Sequence, residues 1–214
     1  MPLCYLVGAG EFTARGFAPE TGDCVIAADG GYAPVAALGI RPDLLVGDFD
    51  SLLKRPVGVP ALTFPVEKDD TDMGLALAEG FSLGFRRFAM YGAGGGRMDH
   101  FLANLQLLGG ASMRGAEMRM VCDGFDVYAV TNGVLMLPPR PAGTGVSVFC
   151  HGARARGVTL RGLKYPLTDA ALTCDRPLGV SNAYREPEAT VSVAEGTLLV
   201  YVALGGGFGT EVGG

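Results

Sequence analysis

Up to about residue 125, short apolar runs end again and again in Gly or Asp, and a helix-like stretch often follows. Residues 3–7 run into Gly8-Ala9-Gly10. Residues 25–28 run into Asp29-Gly30-Gly31 and then a helix-like 32–38. Residues 44–46 lead to Gly47-Asp48-Phe49-Asp50, and 62–64 lead to Lys68-Asp69-Asp70-Thr71-Asp72 with a helical 73–81 behind it. Residues 88–91 meet Gly92-Ala93-Gly94-Gly95-Gly96-Arg97-Met98-Asp99 before a helical 100–108, and 118–122 meet Asp123-Gly124. Short buried strands alternating with helices predict an α/β domain with a mainly parallel sheet. Beyond about Val130 the helical runs stop. Asn132-Gly133, Pro138-Pro139 and Glu195-Gly196 are turn signals, and Val146, Val148 and Cys150 alternate with Ser147 and Phe149. That pattern predicts a small all-β sandwich or partial barrel. The expected division is an α/β domain over 1–128 and a β-rich domain over 129–214, with 205–214 as a loose tail.

Composition narrows the function classes. A chain of 214 residues is long enough to bury roughly 70% of its unfolded surface without disulfide staples. Apolar residues are 49% and charged residues 18% of the chain, against an ordinary charged share near ~25%, so disorder is not expected. A net charge of −5 argues against a general nucleic-acid binder. The five cysteines form no C-x-x-C pair, and His100 and His151 are the only histidines. Buried reduced thiols are expected rather than a zinc framework. The N-terminus lacks a basic segment followed by a long apolar one, and the apolar stretch 197–208 is shorter than the ~20 residues of a membrane span. The expectation is a soluble, cytoplasmic chain. Glycine, at 34 residues, is about twice its ordinary ~7% share, which calls for tight turns or backbone held close to a ligand.

The positions of the aspartates carry the chemistry. Asp29, Asp48, Asp50, Asp69, Asp72 and Asp99 all follow apolar runs. In a parallel sheet they gather along the carboxyl edge, where open α/β folds bind ligands. Like charges 4 Å apart repel by about 1 kcal/mol in water and about 4 kcal/mol at an effective dielectric of 20, so such a group favours a cation. Oxygen ligands without His or Cys suit Mg²⁺, which bridges phosphates. Taken singly, a loop aspartate is also an ordinary turn former or helix cap. The glycine loop 92–96 sits between a strand and a helix, where backbone N–H groups can approach an anion, and Arg97 offers a forked contact to phosphate. It departs from the Walker pattern, having Arg97-Met98 where Lys-Ser/Thr belongs. Gly8-Ala9-Gly10 begins like a dinucleotide fingerprint, but Thr13 stands where the third Gly belongs, so a nicotinamide site is not expected. Lys68 either neutralises a phosphate or pairs with its neighbours. Thr71 reads as an N-cap, with a ligand contact as the second option. His100 either orients a carboxylate or sits satisfied in the core.

Together these motifs resemble the thiamine pyrophosphokinase family. The matching segments are Ala28-Asp29-Gly30-Gly31, Gly39-Ile40-Arg41-Pro42-Asp43, Gly47-Asp48-Phe49-Asp50-Ser51, Lys68-Asp69-Asp70-Thr71-Asp72 and Gly95-Gly96-Arg97-Met98-Asp99-His100 with Asn104. In the second half, Gly157-Val158-Thr159, Gly162-Leu163-Lys164-Tyr165-Pro166-Leu167 and Gly179-Val180-Ser181-Asn182 also match, so the likeness spans about 25–203. The resemblance implies an α/β nucleotide domain followed by a β domain. It implies Mg²⁺-dependent transfer of pyrophosphate from ATP to the hydroxyethyl group of thiamine, releasing AMP. It also implies a homodimer with thiamine held at the subunit interface. Two departures stand out: Ala183 follows Ser181-Asn182 where the family often has Glu, and the chain has no Trp. An aromatic contact to the pyrimidine then falls to Tyr or Phe, with Tyr184 as candidate.

On this reading Asp48, Asp69, Asp72 and Asp99 hold Mg²⁺ directly or through water. Asp50 is an alternative ligand or an acceptor contact. Lys68 and Arg97 offset charge on the moving pyrophosphate, and Asp99 is the candidate proton acceptor. Asp29, Gly30, Gly31, Thr71, Gly92, Gly94, Gly95 and Gly96 hold the nucleotide. Ser181 and Asn182, reaching from the partner subunit, hydrogen-bond the aminopyrimidine. Three rivals remain: an aspartate-nucleophile phosphatase built on Asp48-Phe49-Asp50, an ordinary kinase releasing ADP, and a non-catalytic ATP-sensing module.

Overall fold

Residues buried on both faces of a strand belong inside a parallel sheet. The first two strands, β1 (Cys4–Val7) and β2 (Cys24–Ala28), are buried at every position. The computed structural model describes residues 1–48, 58–64 and 69–205; Asp50, Lys68 and all of the expected tail except Gly205 lie outside them. Strands β3 (Leu44–Gly47), β4 (Ala61–Thr63), β5 (Arg87–Tyr91) and β6 (Glu117–Val121) complete the first sheet. Its order is β4-β3-β2-β1-β5-β6, with every neighbouring pair parallel. The chain builds outward from β1 to β4 on one side, then returns to place β5 on the other side of β1. The direction of winding therefore reverses between β1 and β5, which is where such sheets open a ligand crevice. Val7 is level with both Ala27 and Tyr91, so the carboxyl ends of the three central strands are aligned.

Helices cover both faces. A 3₁₀ turn (Asp29–Gly31) leads into α1 (Tyr32–Ala37), whose Val35 packs with Tyr5, Val7, Phe17, Val25, Ala89, Tyr91 and Val121. In that layer Phe17 meets Tyr5 and Tyr91 edge-on at centroid distances of 5.0 and 5.1 Å. Helix α2 (Asp72–Ser82) buries Met73, Ala76, Leu77 and Phe81, the i, i+3, i+4, i+8 spacing of one helical face. It lies on the opposite side, where Gly80 abuts Phe88 and Cys4. Helix α3 (Met98–Met113) extends five residues beyond the helix expected from sequence, through Gly109-Gly110. Burial of Ala111 and Ser112 outweighs the poor helix propensity of the two glycines. All five cysteines are free. Cys4, Cys24 and Cys122 are buried as expected, whereas Cys150 is half-buried and Cys174 exposed.

Two compact units result: 1–108 with 116–123, and 109–115 with 124 onward. The second holds β7 (Phe125–Thr131), β8 (Val134–Met136), β9 (Gly145–Arg161), β10 (Leu167–Thr173), β11 (Gly179–Ala183), β12 (Thr190–Ser192) and β13 (Glu195–Ala203). Their pairings are all antiparallel. The 17-residue β9 serves two sheets. Its first half pairs with β13 and β11, and its second half pairs with β10 and β12. Gly152 (φ +104) lies between the halves, at a corner that strands shared by two sheets often need. Val146, Val148, Leu160, Val191, Leu198 and Val200 fill the space between the sheets, so the unit is a sandwich.

Tyr184 corrects one expectation. It is 2% exposed and belongs to this core, with its hydroxyl donating to the Pro138 carbonyl at 2.8 Å. Burial pushes its phenol up to about 12. The ring is therefore no surface for an acceptor to stack on. Tyr184→Phe leaves the Pro138 carbonyl without this donor. The urea midpoint should fall by the equivalent of about 1 kcal/mol, and an unchanged midpoint would show that the bond contributes nothing to the sandwich.

Candidate functional site

The crevice expected where the winding reverses is present as a cleft of about 600 Å³. Its walls are strand ends and helix starts. Gly8, Ala9, Gly10 and Glu11 follow β1, Ala28 and Asp29 close β2, and the glycine loop 92–96 follows β5. Thr71, Asp72 and Met73 begin α2, and Arg97, His100, Ala103 and Asn104 come from the start of α3. The two loops at the centre are stitched together. Gly8 N donates to Tyr91 O at 2.9 Å, Gly10 N to Gly92 O at 2.9 Å, and Glu11 N to Gly94 O at 2.8 Å. Backbones this close leave no room for a side chain: a Cβ on Gly10 would stand 2.5 Å from Gly94 O and 2.7 Å from Gly92 O. From α3, the buried Asn104 donates through Nδ2 to Ala93 O at 3.0 Å and so pins the middle of the glycine loop.

Helix α2 points its N-terminus at this cleft. Thr71 caps it, its hydroxyl accepting from Gly74 N at 3.0 Å, as its sequence position predicts. Thr71 also lines the cleft. A capped helix start and a glycine loop present backbone N–H groups and positive dipole to an anion.

The aspartates divide into two groups. Asp29 and Asp72 line the cleft. Asp29 holds φ +46, a left-handed conformation that is uncommon outside Gly, Asn and Asp. Gly47 lies beside both residues: a Cβ built on it would be 3.3 Å from Asp29 N and 3.3 Å from Asp72 Oδ1. The ends of β2, β3 and α2 thus converge. Asp48 is the next residue after Gly47 and is half-buried, but it is not a lining residue, and neither are Asp69 and Asp99. Gly30 and Gly31 play a supporting part, since a Cβ on Gly31 would collide with Val7 O; they keep the turn against β1.

Asp99 is engaged by Arg97. The guanidinium forks onto the carboxylate, Nη2 to Oδ2 at 2.6 Å and Nε to Oδ1 at 3.2 Å. This donation holds the Asp99 carboxyl at about 2 and raises the Arg97 guanidinium further. His100 is exposed and lines the cleft, which decides against the core-histidine alternative. Among the described residues, no group of three or more His, Cys, Asp or Glu stands ready to hold a metal. The cleft aspartates, Asp29 and Asp72, are hard oxygen donors. Mg²⁺ usually takes one or two carboxylates, completing its shell with phosphates and water, so the donor chemistry fits that ion.

Ser181 and Asn182 belong to the β-rich unit. Ser181 is exposed at φ +58, and its N–H donates to the Ser147 hydroxyl at 3.1 Å. Asn182 is 3% exposed, with its amide bonded to the backbone of Tyr165. Tyr165 is 57% exposed and lies in the segment 162–167 that carries the family likeness. Overlooked as cleft walls were Gly8, Gly10, Glu11 and Met73. The signal lies in the apolar run that ends in Gly8-Ala9-Gly10, the same strand-end pattern that marks Asp29 and the glycine loop 92–96.

Residues 19–121 match the family model described as thiamin pyrophosphokinase, catalytic domain, and residues 134–198 match the thiamin pyrophosphokinase vitamin B1 binding domain. A thiamine pyrophosphokinase of Bacillus subtilis (strain 168) is 29% identical over 181 residues, covering 82% of this chain and 85% of the relative. A crystal structure of thiamine pyrophosphokinase from Bacillus subtilis shares the fold with a TM-score of 0.83 at 24% identity, over 95% of this chain and 99% of that one. The structure of thiamin pyrophosphokinase from Geobacillus thermodenitrificans gives 0.78 at 26% identity, over 96% and 98% of the two chains. No described helix is long and apolar enough to cross a membrane.

The Arg97–Asp99 fork has a titration signature. Because the folded value of Asp99 lies below its ordinary 3.8, the fork's contribution is present above about 4 and is lost as pH falls through about 2. Carboxyl ¹³C shifts should show Asp99 titrating near 2, and Arg97→Ala should return it toward 3.8. An unmoved midpoint in the variant would contradict the fork as the cause.

Proposed function

Because this chain belongs to the thiamin pyrophosphokinase family, we propose that it transfers the β,γ-pyrophosphoryl group of ATP to the hydroxyethyl oxygen of thiamine. The observation that carries this reading is the cleft between the ends of β1 and β5. Two glycine loops, a capped helix start, two aspartates and an arginine meet there, and all of these except the loop 8–11 fall within the residues matched by the catalytic-domain model. The nucleotide is assigned to the α/β part (1–128) and thiamine to the β-rich part (129–214). The matched vitamin B1 binding model supports the latter. The family resemblance supports a homodimer with the acceptor site completed at the subunit interface.

In the proposed reaction, the thiamine hydroxyl oxygen bonds to the β-phosphorus. The bond from that phosphorus to the α,β-bridging oxygen breaks, AMP leaves, and the hydroxyl proton is released to water. Such transfer depends mainly on alignment and charge stabilisation. The N–H groups of the glycine loop 92–96 and of the start of α2 receive phosphate oxygens. Asp29 and Thr71 border the same space, and Asn104 keeps the loop in place. Asp72 would hold Mg²⁺, with Asp48 and Asp69 as further proposed ligands. Bound there, the ion would neutralise phosphate charge. Arg97 faces the cleft with its orientation set by Asp99. A carboxyl held at about 2 is a weak proton acceptor, so we assign Asp99 to fixing Arg97 rather than to taking the hydroxyl proton. Any role of Asp99 as a metal ligand requires exchanging that fork for the ion. Lys68 and Asp50 keep the roles that the family resemblance implies, at the pyrophosphate and at the acceptor. Ser181 is the proposed hydrogen-bonding contact to the aminopyrimidine, and Tyr165 replaces Tyr184 as the ring it stacks on.

Chromatography after mixing the protein with ATP, thiamine and Mg²⁺ should give AMP and thiamine diphosphate in equal amounts, without free phosphate. Formation of ADP or phosphate, or AMP release independent of thiamine, would contradict the reading. In the same assay Asp72→Asn should be slower by about 100-fold, on the scale of losing one well-placed electrostatic group, with an unchanged circular dichroism spectrum.

A further inference from the structure

The β-rich unit contains an arrangement that its own core does not require. Opposite β9, Gly179 of β11 faces Val148, yet Asn182 faces Val146. Strand β11 therefore carries one residue more than its partner across this interval, a bulge at Val180–Ser181. The bulge turns Ser181 to φ +58, and the buried Ser147 hydroxyl takes the N–H that the ladder has lost. The next residue, Asn182, is 3% exposed. Its Oδ1 accepts from Tyr165 N at 2.9 Å and from Ala183 N at 2.9 Å, and its Nδ2 donates to Tyr165 O at 2.7 Å. One side chain thus satisfies both backbone groups of Tyr165, as a neighbouring strand would.

The residue held in this way points its ring outward. Tyr165 is 57% exposed, with Lys164 Nζ 5.3 Å from the ring centroid. A buried amide that fixes the backbone under an exposed aromatic ring gains little for the core. It does lower the entropy that the ring would otherwise lose on stacking against a ligand.

We infer that Asn182 is a positioning residue. It fixes Tyr165 as a rigid platform for the flat aminopyrimidine ring and does not itself touch the acceptor. The inference rests on the function proposed above and revises the direct contact expected for Asn182.

A double-mutant cycle tests it in the AMP-release assay. Tyr165→Ala and Asn182→Ala should each raise the KM for thiamine by about tenfold and leave the KM for ATP within about twofold. If Asn182 acts only through Tyr165, the double variant loses no more than Tyr165→Ala alone. Losses that multiply in the double variant would mean a direct contact and overturn the inference. So would an Asn182→Ala variant with an unchanged thiamine KM, or one whose ATP and thiamine constants rise together. Hydrogen exchange on the wild-type protein keeps the test decisive if Asn182→Ala fails to fold. The Tyr165 amide should be protected despite its exposed ring, and exchange at an open-loop rate would refute the clamp. A wild type that makes no thiamine-dependent AMP would instead refute the proposed function.

Discussion

Three backbone hydrogen bonds between the segment after β1 and the segment after β5 set the geometry on which the α/β unit's site depends. They run from Gly8, Gly10 and Glu11 to Tyr91, Gly92 and Gly94. They draw two chain segments together at the place where the winding of the sheet reverses. The spacing is so short that a single Cβ at Gly10 would collide with two carbonyls. The glycine content of the chain, high for an ordinary protein, is partly explained here. These positions are glycine because backbone has to approach backbone.

The charge arrangement follows from the same convergence. Asp29 and Asp72 arrive from β2 and α2 and meet beside Gly47, while Arg97 enters from the start of α3. Carboxylates in one crevice repel one another, and a guanidinium and a capped helix start offset part of that. The fork to Asp99 restrains an arginine that would otherwise sample many rotamers, and a planar guanidinium suits that role better than lysine does. Such a site has both signs of charge in place before any ligand arrives. This is the arrangement that phosphoryl transfer rewards, since positioning and electrostatics do most of the chemistry.

Much of this was legible in the sequence because it depends on local pattern. Apolar runs ending in Gly or Asp identified the parallel strands, and the order of those endings put Asp29, Asp72 and the glycine loop on one edge. Thr71 announced itself as a cap by its place before a helical run. Other features depend on contacts between distant residues. Nothing near Tyr184 in sequence signals that its ring lies between two sheets or that Pro138, 46 positions away, accepts its hydroxyl. Asn182 looks like an exposed polar residue until Tyr165 is seen against it. The bulge that reorients Ser181 is a property of its register with β9, which no single strand reveals. The Arg97–Asp99 fork, only two residues apart, was within reach of sequence reasoning. Each residue also has a plausible separate partner, phosphate for Arg97 and a metal for Asp99, which hides the pairing in the sequence.

The most direct test of the nucleotide site is a crystal structure with the non-hydrolysable α,β-methylene analogue of ATP and Mg²⁺. Phosphate oxygens should lie against the backbone N–H groups of residues 92–96 and the start of α2, with Asp72 on the metal side. Phosphates bound outside the cleft between the ends of β1 and β5 would contradict this placement.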